Sequence, residues 1–524
     1  MAQSQAAGDP PAKRPKLFGR AFYESIGSPK HVVAPMVDQS EFAWRMLSRS
    51  YLPPSADPPL LAYTPMLHAR LFAETEKYRR SNFHPVKPSP DPHSEPQPWL
   101  DGNPSLDRPL FVQFCANDPA TLLEAAKKVA PYCDAVDLNL GCPQGIARKG
   151  HYGAFLQEDQ ELIHRLINTL HRELDVPVTA KIRVLETREA TLAYARNVLD
   201  AGASILTVHG RRREQKGHLT GLADWEIIRY LRDNLPPETV LFANGNVLQH
   251  EDLERVLAAT GADAVMTAEG NLSNPAIFAT PPAEGAEGRE YWRGRDGRGG
   301  WRVDGLMRRY LDILHRHVAG VEPPARRPLF VPGDDTKWLD EAEAAAAEEE
   351  EGPARKKQKK EKGKDAVPNV NYVAMQPHMF HLLRHLVTQH TDVRDMLARS
   401  GKGDLEAYER VLGMVEVKVA RGLLAYEKET EEIREGKRQP EPEPIAEEDI
   451  DNELKGDSSA AAMRRCKRPW WVAQPIIRPL PKEALAKGSV KISKKVMAAM
   501  GDEGGAGEGA AVEEKLKEGK DACG

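Results

Sequence analysis

A thiol at the end of an apolar run is the first candidate for chemistry. In Ala135-Val136-Asp137-Leu138-Asn139-Leu140-Gly141-Cys142-Pro143-Gln144 the run stops at Gly-Cys-Pro. Gly141 is free to take positive φ and Pro143 has no amide hydrogen, so a strand cannot continue past Cys142. A cysteine placed there is either a packing residue or a reagent. The other four, Cys115, Cys133, Cys466 and Cys523, are irregularly spaced and include no CxxC. Neither a disulfide framework nor a zinc site is indicated, and Cys115 and Cys133 read as inert core residues.

Further groups able to bind or activate a ligand recur in the same kind of place, directly after short apolar runs. They are Pro35-Met36-Val37-Asp38, Gln113, Lys181-Ile182-Arg183, His209-Gly210-Arg211, Asn244-Gly245-Asn246 and Ala268-Glu269-Gly270. Singly, each has a bland reading. A histidine after a strand is usually a satisfied polar residue, a glutamine can bond neighbouring backbone, and glycine is ordinary in turns. Lys181 is harder to dismiss, because burying an unpaired ammonium costs several kcal/mol; it should meet an anion or an electron-rich ring. Asn-Gly-Asn and Glu-Gly-Asn, followed by Ser273-Asn274-Pro275 as the cap and first turn of a short helix, point to a phosphate on glycine-rich amides. A lysine and an amide-rich rim above it would suit a flavin ring.

Eight short runs must position these groups: Val32–Ala34, Leu60–Tyr63, Leu110–Gln113, Ala135–Leu138, Val178–Lys181, Ile205–Val208, Val240–Ala243 and Ala264–Thr267. Amphipathic stretches separate them, among them 119–130, 159–174, 187–201, 225–234 and 249–260. Eight strands alternating with helices predict a TIM (β/α)8 barrel, an α/β fold whose functional residues sit at the carboxyl ends of its strands. A doubly wound open sheet is the alternative, but no GxGxxG is present.

The expected organisation is a disordered N-terminal tail (1–29), the barrel (30–280), a linker (281–300) and a small all-helical domain (301–430). A low-complexity insert (324–368) interrupts that domain, and a mostly disordered tail (431–524) follows, with Pro469-Trp470-Trp471-Val472 as an apolar exception. The Pro-rich stretch 83–108 reads as a surface elaboration without chemistry. With 73 Lys+Arg against 78 Asp+Glu, bulk charge announces no nucleic-acid binder. Apolar runs fall short of the roughly 20 residues that a membrane span needs. Reduced thiols and a polar, Pro-rich start predict a soluble protein of the cytoplasm or nucleus, and Ala12-Lys13-Arg14-Pro15-Lys16-Leu17 resembles a short nuclear signal.

Val33 to Val37, Asp137 to Pro143, Lys181 to Arg183, Thr207 to Arg211, Ala243 to Asn246 and Ala268 to Asn271 together resemble the tRNA-dihydrouridine synthases. Gln113 to Asn117, Gly150 to Ala154 and Glu214 to Gly217 resemble the eukaryotic branch acting at D-loop positions 16 and 17. The resemblance spans about residues 30–280 and, more weakly, the helical segments. It implies reduction of the C5=C6 bond of uridine in tRNA: NADPH or NADH reduces FMN, hydride passes to C6, and Cys142 gives C5 a proton. A thiol of ordinary acidity, pKa about 8.5, holds such a proton at neutral pH. By the same resemblance Pro35, Met36 and Val37 line the flavin, and Gln113 and Lys181 contact its ring. His209, Asn244, Gly245, Asn246, Ala268 and Glu269 surround its ribityl phosphate, Asn139 and Arg183 hold the uracil, and Arg211 with its basic loop meets tRNA phosphates. The helical domain is the expected tRNA cradle, and the enzyme is expected to work as a monomer with neither a membrane nor a metal.

Overall fold

The computed structural model describes residues 16–91, 93–343, 368–439 and 458–486. Its centre is a closed ring of eight parallel strands: β1 (His31–Val33), β2 (Leu61–Tyr63), β3 (Leu110–Cys115), β4 (Ala135–Leu140), β5 (Val178–Arg183), β6 (Ile205–His209), β7 (Val240–Asn244) and β8 (Ala264–Thr267). Each pairs with the next, and β8 returns to β1 through Val32↔Met266. Helices lie between them where the 3.6-residue pattern places them, for example Pro119–Val129, Gln160–Glu173, Arg188–Asp200 and Trp225–Asn234. Asp118, Asp159, Thr187 and Asp224 start these four, each accepting a backbone N–H three residues on. The barrel is therefore the TIM fold expected from the strand count.

Alternation along the strands sorts the residues into two environments. Val33, Val112, Val136, Leu138, Ala180 and Val208 face outward under the helices, while Val32, Leu61, Phe111, Ala135, Ile205, Val240, Phe242 and Ala264 fill the barrel's interior. Helix α1 (Gly19–Ser25) closes the amino-terminal end. Its Phe22 stacks on Phe111 at 5.8 Å, and Tyr23 packs near Phe242 and donates its hydroxyl to Pro29 O at 3.0 Å. The expected N-terminal tail 1–29 thus corrects to an ordered floor from about residue 16, because two aromatic residues find burial under the ring. The basic stretch 12–15 lies outside the described residues.

Helix α2 (Phe42–Arg49), after β1, carries a fully buried guanidinium. Arg45 Nε donates to Asp107 Oδ1 at 3.0 Å and Nη2 to Asp101 Oδ1 at 2.7 Å. Both carboxylates come from the 83–108 stretch, which is thereby corrected from surface elaboration to the counter-charge of a buried cation.

The helical domain is built from Val303–Ile313, Val370–Leu382, Arg384–Gln389, Thr391–Arg399 and the long Leu405–Arg434. It joins the barrel through α2. His378 lies flat on Trp44, with ring centroids 3.9 Å apart and planes 7° apart, and its Nε2 meets Glu41 Oε2 at 2.9 Å. Three expected boundaries change. The linker holds a hairpin, Tyr291–Arg293 with Gly299–Trp301. The first part of the 324–368 insert is packed, with Leu329, Phe330 and Leu339 buried; the rest lies outside the described residues. In the 431–524 tail, Trp471 and Val472 are buried, and Ala473 N donates to Trp301 O at 2.8 Å. Among the described residues, 214–222, 458–465 and 477–486 form a second compact unit, in which Ser459 N donates to Glu483 Oε1 at 2.9 Å. Among the described residues no helix is long and apolar enough to cross a membrane, and no group of three or more His, Cys, Asp or Glu could hold a metal.

Removing one partner of a buried ion pair strands the other charge. Asp107→Ala should lower the unfolding free energy by about 3–5 kcal/mol, read from the denaturant midpoint.

Candidate active site

Strand register brings the candidate groups together in levels. Gln113 pairs with Asp137 and Asp137 with Thr179; two residues higher, Asn139 pairs with Lys181 and Lys181 with Thr207. Two residues higher again come Arg183, His209 and Asn244. A step of two returns the side chain to the same face, so these levels continue the barrel's interior upward from the apolar floor to the carboxyl ends of the strands.

The lowest polar level holds a buried chain of hydrogen bonds. Asp137 Oδ1 accepts from Thr179 Oγ1 at 2.6 Å and Oδ2 from Gln113 Nε2 at 2.8 Å. Gln113 Oε1 accepts from Asn139 Nδ2 at 2.8 Å. Asn139 Oδ1 then accepts two backbone N–H groups, from Gly141 at 3.1 Å and Cys142 at 2.9 Å. Loss of hydration pushes the Asp137 carboxyl up to about 6, against which its hydrogen bonds and Lys181 act. It remains an acceptor at neutral pH.

Lys181 is half-buried, and its Nζ donates to Asn244 Oδ1 at 2.9 Å. Desolvation, with the Arg183 charge beside it, lowers the amine to about 7. Arg183 Nε donates to Gly141 O at 2.8 Å, so the cysteine loop is gripped at a carbonyl as well as at two amides. His209 is held well below the usual histidine range by desolvation and by Arg183, Lys181 and Arg211 around it. Since a guanidinium only donates, His209 Nε2 accepts from Arg211 Nη1 at 3.0 Å.

Arg211 also donates to Asn246 Oδ1 at 3.0 Å. Arg213 reaches Glu158 Oε1 at 2.8 Å and lies over the Phe155 ring, and Arg183 Nη1 donates to Arg212 O at 2.9 Å. This basic loop is tied to the barrel rim. Gly245 has φ +122°, and a side chain there would come within 2.5 Å of Ala223 Cβ. The short helix after β8 is Glu269–Ser273, beginning a turn before the Ser273-Asn274-Pro275 start expected from sequence, because Asn274 is the residue that ends it. Ala268 is half-buried at its start and Glu269 is exposed.

Cys142 is half-buried at the rim of this polar well, whereas Cys115, Cys133 and Cys466 are buried. In the loop after β1, Pro35 is half-buried, Met36 is buried and Val37 is exposed. The structure thus gathers Gln113, Asn139, Cys142, Lys181, Arg183, His209, Arg211, Asn244 and Asn246 at the carboxyl ends of neighbouring strands, in three bonded groups: Gln113–Asn139–Cys142 loop–Arg183, Lys181–Asn244 and His209–Arg211–Asn246. The sequence reading gave no role to Asp137 or Thr179, although a carboxylate inside an apolar strand was itself a signal. It also gave none to Gly153, whose φ is +65° and where a Cβ would lie 2.8 Å from Cys142 O. Ala154 N donates to that same carbonyl at 3.1 Å, so the 150–154 loop braces the cysteine from above.

Fold and site together define a (β/α)8 barrel with a cluster of polar and cationic groups at the carboxyl ends of its strands. A dihydrouridine synthase (Dus) family model matches residues 32–291. The chain is 48% identical over 395 residues to the tRNA-dihydrouridine(16/17) synthase [NAD(P)(+)] of Saccharomyces cerevisiae, covering 75% of each chain. It is 41% identical to that of Schizosaccharomyces pombe, over 89% of this chain and 92% of the relative. A mouse tRNA-dihydrouridine(20a/20b) synthase-like protein is 36% identical over 47% of this chain and 68% of its own. The chain belongs to the dihydrouridine synthase family and is an oxidoreductase.

Lys181 binds its proton less tightly folded, at about 7, than unfolded, where the ordinary 10.5 applies. Across that window the unfolded state carries more protons, so this group makes stability rise with pH. Lys181→Met should remove that part of the rise, measured by urea unfolding at about pH 7 and about pH 9.

Proposed function

We propose that this enzyme reduces the C5=C6 bond of uridines 16 and 17 in the tRNA D-loop to 5,6-dihydrouridine, with FMN as its flavin and NADPH or NADH as reductant. The observation that carries the reading is the half-buried Cys142, whose loop backbone is held by Asn139, Arg183 and the 150–154 loop beside a polar level that contains Lys181.

The residues present fit a flavin mononucleotide. Lys181, Arg183 and Arg211 crowd around His209, a cationic group suited to a phosphate and to an electron-rich ring, and Asn244 and Asn246 add amides beside it. Pro35, Met36, Val37, Gln113 and Lys181 would hold the ring, and His209, Asn244, Gly245, Asn246, Ala268 and Glu269 the ribityl phosphate. When bound, the flavin supplies the hydride for uracil C6, replenished from NAD(P)H.

The chain's own part follows from its geometry. On this reading Asn139 and Arg183 orient the uracil edge, and Cys142 holds the proton that C5 takes up, leaving a thiolate that solvent reprotonates. General-acid transfer of this kind contributes typically 10²–10⁴-fold. A target uridine leaves the folded D-loop to enter the well, and the helical domain joined to the barrel through Trp44 and His378 is the surface that receives the rest of the tRNA. The Arg211–Arg213 loop adds phosphate contacts.

Cys142→Ala should keep the flavin spectrum and its bleaching by NAD(P)H while dihydrouridine in tRNA disappears; undiminished product would sink the proton-donor role. Mapping dihydrouridine in tRNA from cells lacking the protein should show loss at positions 16 and 17, and loss at other positions instead would overturn the site assignment.

A further inference from the structure

The buried chain below Cys142 has a direction, and the direction needs an origin. Its upper end is fixed, because the backbone N–H groups of Gly141 and Cys142 can only donate, so Asn139 must present Oδ1 to them. That turns Asn139 Nδ2 toward Gln113, whose Oε1 accepts it, and leaves Gln113 Nε2 pointing down. A side-chain amide can flip end for end, and either flip in this chain would put NH2 against N–H or oxygen against oxygen. The sense survives only if the group beneath Gln113 is an acceptor.

We propose that Asp137 is a positioning residue for the reaction: it is the fixed acceptor that orients Gln113 and Asn139 so that Asn139 pins the backbone of the Cys142 loop. Asp137 touches neither the thiol nor the loop and acts wholly through two amides. Its second oxygen is occupied by the Thr179 hydroxyl at 2.6 Å, which holds the carboxylate plane and leaves Oδ2 for Gln113 at 2.8 Å. Asp137, Gln113 and Thr179 have no exposed surface, so water does not substitute for a missing link. Desolvation raises the carboxyl to about 6, which still favours the acceptor form at neutral pH. The assignment rests on Cys142 being the proton donor only for its kinetic consequence; the loop geometry stands apart from it.

Two readouts separate these. Asp137→Leu keeps the volume and removes both acceptors. The kcat for dihydrouridine formation should fall about 100-fold, as for a reacting group displaced by about an ångström. KM for tRNA should stay within about threefold. Independently of any reaction, alkylation of Cys142 by iodoacetamide, followed by peptide mass spectrometry, should speed up as the loop is released. Asp137→Asn, which can still turn a carbonyl toward Gln113 while Thr179 rotates to accept, should recover most of the rate and the slow alkylation. Should Asp137→Leu fail to fold, Gln113→Met cuts the same chain one link higher and should give the same faster alkylation. Wild-type alkylation and kcat in Asp137→Leu would overturn the proposal. So would an Asp137→Asn as damaged as Asp137→Leu, which would make charge rather than acceptor geometry the essential property. If Cys142→Ala proves active, the proton-donor reading fails, while the alkylation result still decides the role of Asp137.

Discussion

Everything in the site depends on the closure of eight parallel strands into a ring. Once β8 pairs with β1, every second residue of every strand is committed to the interior, and strand register stacks those residues in levels. The lower levels are Val, Leu, Ile, Phe and Ala; the upper ones are Gln113, Asp137, Thr179, Lys181, Arg183, His209 and Asn244. A polar group at an inner position has no route to bulk water except upward, so it must bond its neighbours in the ring. The hydrogen-bonded chain from Asp137 to the Cys142 loop and the pair Lys181–Asn244 are consequences of that confinement.

The same logic of confinement explains how the rest of the chain attaches. α2 carries Arg45 into a place without water, and the aspartates that meet it arrive from a stretch that looks featureless in sequence. On the other side α2 offers Trp44, on which His378 lies flat, with Glu41 closing the contact. One eight-residue helix thus anchors both an inter-strand insert and the helical domain. This lets a surface far from the barrel's mouth in sequence be held rigidly relative to it.

The strands and main helices were legible because alternation and the 3.6-residue period are local signals, and capping residues such as Asp118, Asp159, Thr187 and Asp224 mark their starts. The site residues were legible as types at strand ends, and their family wording named them together. What was not legible was partnership. Glu41 and His378 are 337 residues apart, and Arg45 and Asp107 are 62 apart, so no window of sequence contains either pair. Asp137 was in view from the start, yet its meaning depends on which amide lies across the next strand. Phe22 and Tyr23 were read as tail because seven helical residues carry little pattern of their own; only the ring above them gives them burial.

That aromatic floor has a bearing on traffic. With Phe22 and Tyr23 stopping the lower end, the polar levels form a vessel with its working entrance on the loop face, rather than a tube open at both ends. On the proposed reading, two reagents far bulkier than the reacting ring, a nicotinamide dinucleotide and a folded RNA, then compete for one doorway. On that reading the electrons would be deposited before the RNA covers the entrance, and the two reagents would be taken in turn.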